Sequence, residues 1–497
     1  MALHPRHHPI IYVRGFAMTE GARESTVDTP YMGFNQGSTR VRQQYDRSFE
    51  HYIFESPLIR LMKEYGYQDV YAEGMNLAEP LDEDAPFQRL PQKSLIIHRY
   101  YESEEEAVSQ KPSIVEAAQR LSKLINRVRL QVCGDDTQAQ QDFKLYLVAH
   151  SMGGLICRCL LQNDEADPYE SAKSVDKVFT YGTPHNGIEL MGMNVPRFLG
   201  IGDANNFNRD RIANYLKIKP VEGRVDHLNG RFPPERFCCL VGTNPRDYNL
   251  TRVLAGKASD GLVTIDNAAI RDAPRVYAYL SHSGPQGMVN SREGYDNLVR
   301  FLFGDYKMLI WMRPQQLPLP PEFRKRHEAG RKVRGSYLFQ CCIKPRGDDP
   351  VPLSERSIDH SSAVFRSFDE LLKPQKVGLS KPHSPILASV FLDSKRIEVG
   401  KTMLLSADIV VRSTDFRIDG RRISRRQLPD ENLFRETLSI KVTLNKQGWV
   451  IRSITADDNW GSGRGQPLLK DEQGEYIQLS NRKGFQARLY VDMQRWQ

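Results

Sequence analysis

Short apolar runs alternate with amphipathic stretches over the first three hundred residues of the chain. Pro9–Val13, Ser94–His98, Lys144–Ala149, Lys177–Tyr181, Phe237–Gly242 and Arg275–Leu280 are brief, rich in aliphatic and aromatic residues, and bounded by turn formers. Runs of that kind predict buried strands. Ahead of the third, Ile114, Ala118, Leu121, Ile125 and Val128 recur at helical spacing. Further helices are predicted over Gly153–Gln162, over Gly294–Phe303 and around Pro57–Tyr65. Strands alternating with helices predict an α/β fold, a mostly parallel sheet flanked by helices.

The period changes in the last third. Leu438–Leu444 and Phe485–Val491 alternate apolar and polar strictly, and Met403, Leu405, Ala407, Ile409 and Val411 repeat the pattern. A period of two marks half-buried antiparallel strands, so residues 336–497 are predicted to form an all-β domain, a sandwich or an open barrel. Between the two patterns, residues 312–335 are Pro-rich and then basic. They read as a linker, leaving 1–311 as the α/β domain. Two stretches break the alternation inside that domain, 19–92 and 186–236. The second carries Ile188, Leu190, Met191, Met193, Val195, Phe198 and Leu199. Insertions of this kind are where lids and substrate pockets are built, and Met191, Met193 and Phe198 are the pocket or lid candidates.

Composition adds limits. The 497 residues are 40% hydrophobic and 26% charged, the balance of an ordinary globular protein, and long enough for two domains. The net charge of +8 favours anionic partners, with solubility alone as the plainer explanation. The seven cysteines include no CxxC pair, and no Cys/His cluster has zinc-finger spacing. No metal site is expected from them, and a reducing compartment fits best. The opening MALHPRHHPIIYVRGFAM has too short an apolar stretch for a leader, and no segment reaches the roughly 18 apolar residues of a membrane span. A soluble, cytoplasmic product is expected, with any export by a leaderless route.

The strongest chemical signal is Leu145-Tyr-Leu-Val-Ala149-His150-Ser151-Met152-Gly153-Gly154. A buried strand runs into a tight turn and then a helix, with a serine at the apex and small residues two positions to either side. The small flanks let backbones approach closely around a strained turn. This segment resembles the nucleophile elbow of α/β-hydrolases, G-x-S-x-G, with Ala149 in place of the first glycine.

Three more segments extend the resemblance. Pro9-Ile-Ile-Tyr-Val-Arg14-Gly15-Phe16 resembles the first strand and oxyanion loop of bacterial triacylglycerol lipases, with Arg14 where that family usually has His. Tyr181-Gly-Thr-Pro-His185-Asn-Gly187 resembles the G-T-P-H-x-G segment of lipases and of GPI-inositol-deacylase-like hydrolases. Ser259-Asp260-Gly-Leu-Val263 resembles the (N/S)-D-G-L-V segment that carries the acid in bacterial lipases, and His282 follows the last predicted strand. The resemblance implies Ser151 as nucleophile, His282 as base and Asp260 as the acid that orients it. It also implies the backbone amides of Phe16 and Met152 as oxyanion donors. Asp247 and Asp266 are alternative acids. His185 is tempting as a base but stands too early in the chain, and reads as a residue that structures its loop. Gly284 occupies the place of a calcium-binding Asp in several bacterial lipases, so that site is not expected, nor is a cofactor.

The implied activity is hydrolysis of carboxylic esters of lipids. A thioesterase, acyltransferase or peptidase on the same fold is an alternative, since fold and triad do not fix the substrate. A membrane- or protein-binding module with the hydrolase as scaffold is another. Expected partners are a lipid or ester substrate, an anionic membrane surface met by Arg324, Lys325, Arg326, Arg331, Lys332 and Arg334, and a protein docked on the β-domain. Nucleic acid is not among them. A basic lipase-like chain with an extra β-domain and no leader also resembles type VI secretion lipase effectors.

Overall fold

The computed structural model describes residues 7–15, 38–43, 49–72, 75–78, 88–98, 100, 112–190, 193–194, 207–244, 259–284, 287–331, 333–346, 351–355, 366–367, 386–397, 401–418, 421–422, 432–445, 448–455 and 465–496. The chain divides into two units, Met1–Phe303 and Gly304–Gln497.

The first unit is built on seven strands: β1 (Ile10–Val13), β2 (Gln68–Asp69), β3 (Ser94–His98), β4 (Leu145–His150), β5 (Val175–Tyr181), β6 (Phe237–Gly242) and β7 (Arg275–Ala278). They lie in the order β7-β6-β5-β4-β1-β3-β2, and every neighbouring pair is parallel. β1, β3 and β6 are buried at every residue, as expected of a parallel sheet covered on both faces. The edge strand β2 lies inside the stretch read as an insertion, 19–92. Two residues are too short to show a period, so the sequence pattern does not reveal it. The same stretch holds an antiparallel hairpin, Ser38–Gln43 with Phe49–Phe54.

Among the described residues, the helices of nine residues or more beside the sheet are α1 (Pro57–Tyr65), α2 (Ile114–Cys133), α3 (Met152–Gln162) and α4 (Arg292–Phe303). α2 starts at a capping box. Ser113 Oγ accepts from Glu116 N at 3.2 Å, and the Glu116 carboxylate accepts from Ser113 N at 2.7 Å. Its stripe of Ile114, Ala118, Leu121, Ile125 and Val128 enters the core of this unit, each large aliphatic contributing about 1.5–3 kcal/mol. Residues 186–236 hold a two-residue hairpin, Glu189–Leu190 with Met193–Asn194, and a helix, Arg209–Tyr215.

Among its described residues the second unit is antiparallel β apart from one α-helix, α5 (Pro321–Glu328), and single turns. Its main strands are β8 (Tyr306–Gln316), β9 (Val333–Pro345), β10 (Ile386–Leu392), β11 (Thr402–Ile418), β12 (Asn432–Asn445), β13 (Gly448–Ile454), β14 (Leu469–Asp471), β15 (Gly474–Ser480) and β16 (Gln486–Arg495). One sheet runs β10-β8-β16-β15-β14, and the other is centred on β9-β11-β12-β13. Met308, Ile310 and Met312 of the first share a core with Cys341, Ile343, Leu405, Ala407 and Ile409 of the second. Two sheets with one core between them make a sandwich.

The unit boundary therefore precedes β8, and 312–335 is not a free linker. Its first residues finish β8, its middle is α5, and its end begins β9. The prolines explain the difference. Pro320 is extended (φ −54°, ψ 146°) and Pro321 opens the helix, where a missing N–H costs nothing. Phe323 then anchors the helix in the sandwich core. No helix among the described residues is long and apolar enough to cross a membrane.

Candidate active site

All seven strands of the first sheet point the same way, so the loops that follow them gather at one edge. The chain leaves β1 toward β3 and β2, and returns to place β4 on the other side of β1. In open parallel sheets that reversal is where ligands bind, outside the carboxyl ends of the strands. Ser151 follows β4 there.

Ser151 sits at φ 50°, ψ −123°, a conformation that L-residues rarely adopt. Holding it costs on the order of 1–3 kcal/mol, so neighbouring contacts must fix it. They come from β5 and the loop after it. Ser151 N donates to Tyr181 O at 2.9 Å, and Thr183 Oγ1 donates to Ser151 O at 2.8 Å. The small flanking residues have a specific reason. A Cβ on Gly153 would lie 2.2 Å from the carbonyl oxygen of Val13, and one on Gly154 would lie 2.2 Å from Thr183 Oγ1. At these two glycines, helix α3 approaches the end of β1 and the loop after β5.

Two of the remaining candidates stand beside Ser151. Ser151 Oγ is 3.0 Å from His282 Nε2, and His282 Nδ1 is 2.8 Å from Asp260 Oδ2. Asp260 and His282 are almost fully buried. Asp260 Oδ1 accepts from the amides of Leu262 and Val263 at 3.0 and 2.7 Å, which turns Oδ2 toward the imidazole. A carboxylate can only accept, so His282 Nδ1 carries the proton and Nε2 presents a lone pair to the Ser151 hydroxyl. The amide of Met152 is the first of α3, with no carbonyl of its own helix to serve it. Phe16, Met191, Phe198 and Asp247 lie outside the described residues. Met193 is described only as backbone in a two-residue strand. Asp266 is exposed, and its carbonyl oxygen accepts from Arg224 at 2.8 Å.

His185 is fully buried, with Nε2 3.1 Å from Thr180 Oγ1 and its ring edge-on to Phe237 at 5.4 Å. Burial, and then the nearby Arg158 cation, hold its pKa well below the ordinary histidine value. Arg158 itself was not singled out from the sequence, although it is fully buried within α3. It donates to Gln162 Oε1 at 2.9 Å, His185 O at 2.8 Å, Val225 O at 2.7 Å and His227 O at 2.9 Å. Burial lowers its pKa to about 10. The guanidinium ties the loop after β5, and residues 225–227 of the second insertion, to the helix that starts at Ser151. Met288 is a second residue without a sequence signal. It is fully buried, and its Cε lies against the backbone of Gly182 and Gly242 beside Asp260. No cluster of three or more His, Cys, Asp or Glu side chains that could hold a metal ion occurs among the described residues.

The model of the PGAP1-like alpha/beta domain matches residues 88–193, from before β3 to beyond the loop after β5, and so includes Ser151 but neither Asp260 nor His282. Among curated proteins none matches the chain. Among solved structures, the lin2722 gene product of Listeria innocua aligns with 12% identity over 60% of this chain and 94% of its own, at a TM-score of 0.27. The mature lipase BlEst2 of Bacillus licheniformis aligns with 13% identity over 56% of this chain and 86% of its own, at a TM-score of 0.28. By its parallel sheet, its strand order and the strained turn after β4, the first unit has an α/β-hydrolase-like fold, and its residues 88–193 are similar to the PGAP1-like alpha/beta domain.

Proposed function

We propose that the chain is a serine hydrolase that cleaves carboxylic esters of lipids. The observation that carries this is the hydrogen-bonded line from Ser151 through His282 to Asp260, set at the switch point of the parallel sheet.

The geometry supports the following chemistry. Ser151 Oγ attacks the acyl carbonyl carbon while its proton passes to His282 Nε2. The negative charge on the former carbonyl oxygen is met by the Met152 amide, and the resemblance of the segment after β1 to a lipase oxyanion loop implies the Phe16 amide as the second donor. The bond to the alkoxy oxygen breaks, and His282 Nε2 returns the proton to the leaving alcohol. Water repeats the sequence on the acyl-serine, releases the acid and restores the hydroxyl. Asp260 holds the Nδ1 tautomer throughout and stabilises the imidazolium.

The lipid part of the proposal rests on the lipase-like segments and on the charge of α5. Arg324, Lys325 and Arg326 are exposed there, and none of the three forms an ion pair among the described residues. Such a face suits an anionic membrane surface carrying the substrate.

The test is product analysis by mass spectrometry after incubation with mixed bacterial lipids, beside parallel assays on acyl esters, thioesters and amides. Release of fatty acid from lipid esters, lost in Ser151→Ala, supports the proposal. Turnover of thioesters alone, or acyl transfer without hydrolysis, overturns it in favour of the corresponding activity.

A further inference from the structure

His282 has four polar handles: its backbone N–H and carbonyl, and its two ring nitrogens. Asp260 takes two of them, since His282 N donates to Asp260 O at 3.0 Å and Nδ1 meets Oδ2 at 2.8 Å. The other two go to a single dipeptide. Ser151 Oγ meets Nε2 at 3.0 Å, and the ring of His150 reaches the His282 carbonyl oxygen with its own Nε2, also at 3.0 Å. A carbonyl only accepts, so His150 Nε2 carries the proton and donates. The two rings stand 5.0 Å apart at 41°.

We propose that His150 is a positioning residue, whose Nε2–H sets the height of the His282 loop above the elbow and so the reach of the base to Ser151. The proposal rests on the assignment of Ser151 and His282 as nucleophile and base.

Three physical facts carry it. The donor and the nucleophile are adjacent in sequence, so both are fixed by the same turn at the end of β4, and any drift of the His282 loop stretches both bonds together. Next, the ring has been given room. A Cβ on Gly15 would come within 2.9 Å of His150 Nδ1 and 3.1 Å of Ser151 Cβ, so a larger residue at 15 would push both away. Finally, the ring stays neutral. Burial first, then the neighbouring His282, lower its pKa to about 3, against the opposing pull of its bond to the His282 carbonyl. A neutral donor does not repel the imidazolium that forms on His282 during acylation, whereas a cation at this point would.

The experiment compares His150→Phe, His150→Asn and His150→Gln with wild type on a soluble short-chain p-nitrophenyl ester, with Ser151→Ala alongside. The Gln amide nitrogen falls near the place of His Nε2, while that of Asn falls one bond short. His150→Phe and His150→Asn should lose about 100-fold in kcat with KM nearly unchanged, the scale expected for misplacing a reacting group by about 1 Å. His150→Gln should restore kcat to within about 5-fold of wild type, and fluorophosphonate labelling of Ser151 should slow and recover in the same order. Near-wild-type kcat in both His150→Phe and His150→Asn overturns the proposal. So does a loss in His150→Gln as large as in His150→Phe, which marks a role in packing alone. Should His150→Phe fail to fold, the Asn and Gln pair decides. Activity remaining in Ser151→Ala instead overturns the assignment of the nucleophile. An inactive Ser151→Ala with unaffected His150 variants leaves that assignment standing and removes only the role of His150.

Discussion

Asp260 holds His282 twice, once through its backbone carbonyl and once through its carboxylate. Replacing the carboxylate by an amide keeps the first bond and spoils the second, because an amide nitrogen facing Nδ1 favours the wrong tautomer. Asp260→Asn should therefore lower kcat by about 10³–10⁴-fold while KM moves little. Asp266→Asn, at an exposed position, should stay within about 2-fold of wild type in the same assay. Steady-state kinetics on one soluble ester decides both. A larger loss in Asp266→Asn would show that the wrong carboxylate has been assigned.

Ser151 stores backbone strain at the residue proposed as nucleophile, so stability and activity should part there. Ser151→Ala and Ser151→Gly should both be inactive. Only Gly adopts φ 50°, ψ −123° without strain, so Ser151→Gly should be the more stable, melting about 2 °C above Ser151→Ala. Calorimetry of the two variants checks this. Equal melting temperatures would mean that the turn is not strained.

Arg158 is a buried cation satisfied by carbonyl oxygens. Arg158→Met should take the donor from His185 O and Val225 O, with His227 O keeping only that of Gln162, and cost about 3 kcal/mol or more, read from the urea midpoint. Arg158→Lys should recover little, because one ammonium cannot reach acceptors spread across the plane of a guanidinium. Turnover should fall with stability, since the anchored loop after β5 also holds Ser151 through Thr183. Full stability in Arg158→Met would remove Arg158 from this role.

The basic face of α5 makes the membrane part of the proposal measurable. Each Lys or Arg near an anionic surface contributes about 1 kcal/mol, screened within a Debye length. Replacing Arg324, Lys325 and Arg326 together by Ala should weaken binding to vesicles rich in phosphatidylglycerol by about 10²-fold at low salt. High salt should do the same to wild type. Turnover of a soluble ester should not change. Vesicle binding that ignores lipid charge would leave α5 a solvated surface.

The sequence by itself determined whatever depends on neighbours along the chain. Helical spacing from Ile114 to Val128, the buried runs of β1 and β3 to β7, and the alternation in β11, β12 and β16 are local consequences of which face is apolar, and all are legible without coordinates. The elbow is legible in the chain too, as small residues at fixed offsets from Ser151, although the groups that require them, Val13 O and Thr183, are brought there only by the fold. What depends on partners far along the chain was decided only in three dimensions. β2 is a strand because two residues pair with β3, not because they show a pattern. The prolines at 320–321 mark a helix start because Phe323 finds a core to enter. Arg158 reads as an ordinary charged helix residue until α3 is buried on every side. His150 fills the variable place of its motif, and only the fold brings its ring to a carbonyl 132 residues away. Apolar periodicity is written into consecutive residues, whereas a hydrogen bond between distant groups exists only once packing has brought them within 3 Å and removed the water that would otherwise satisfy them.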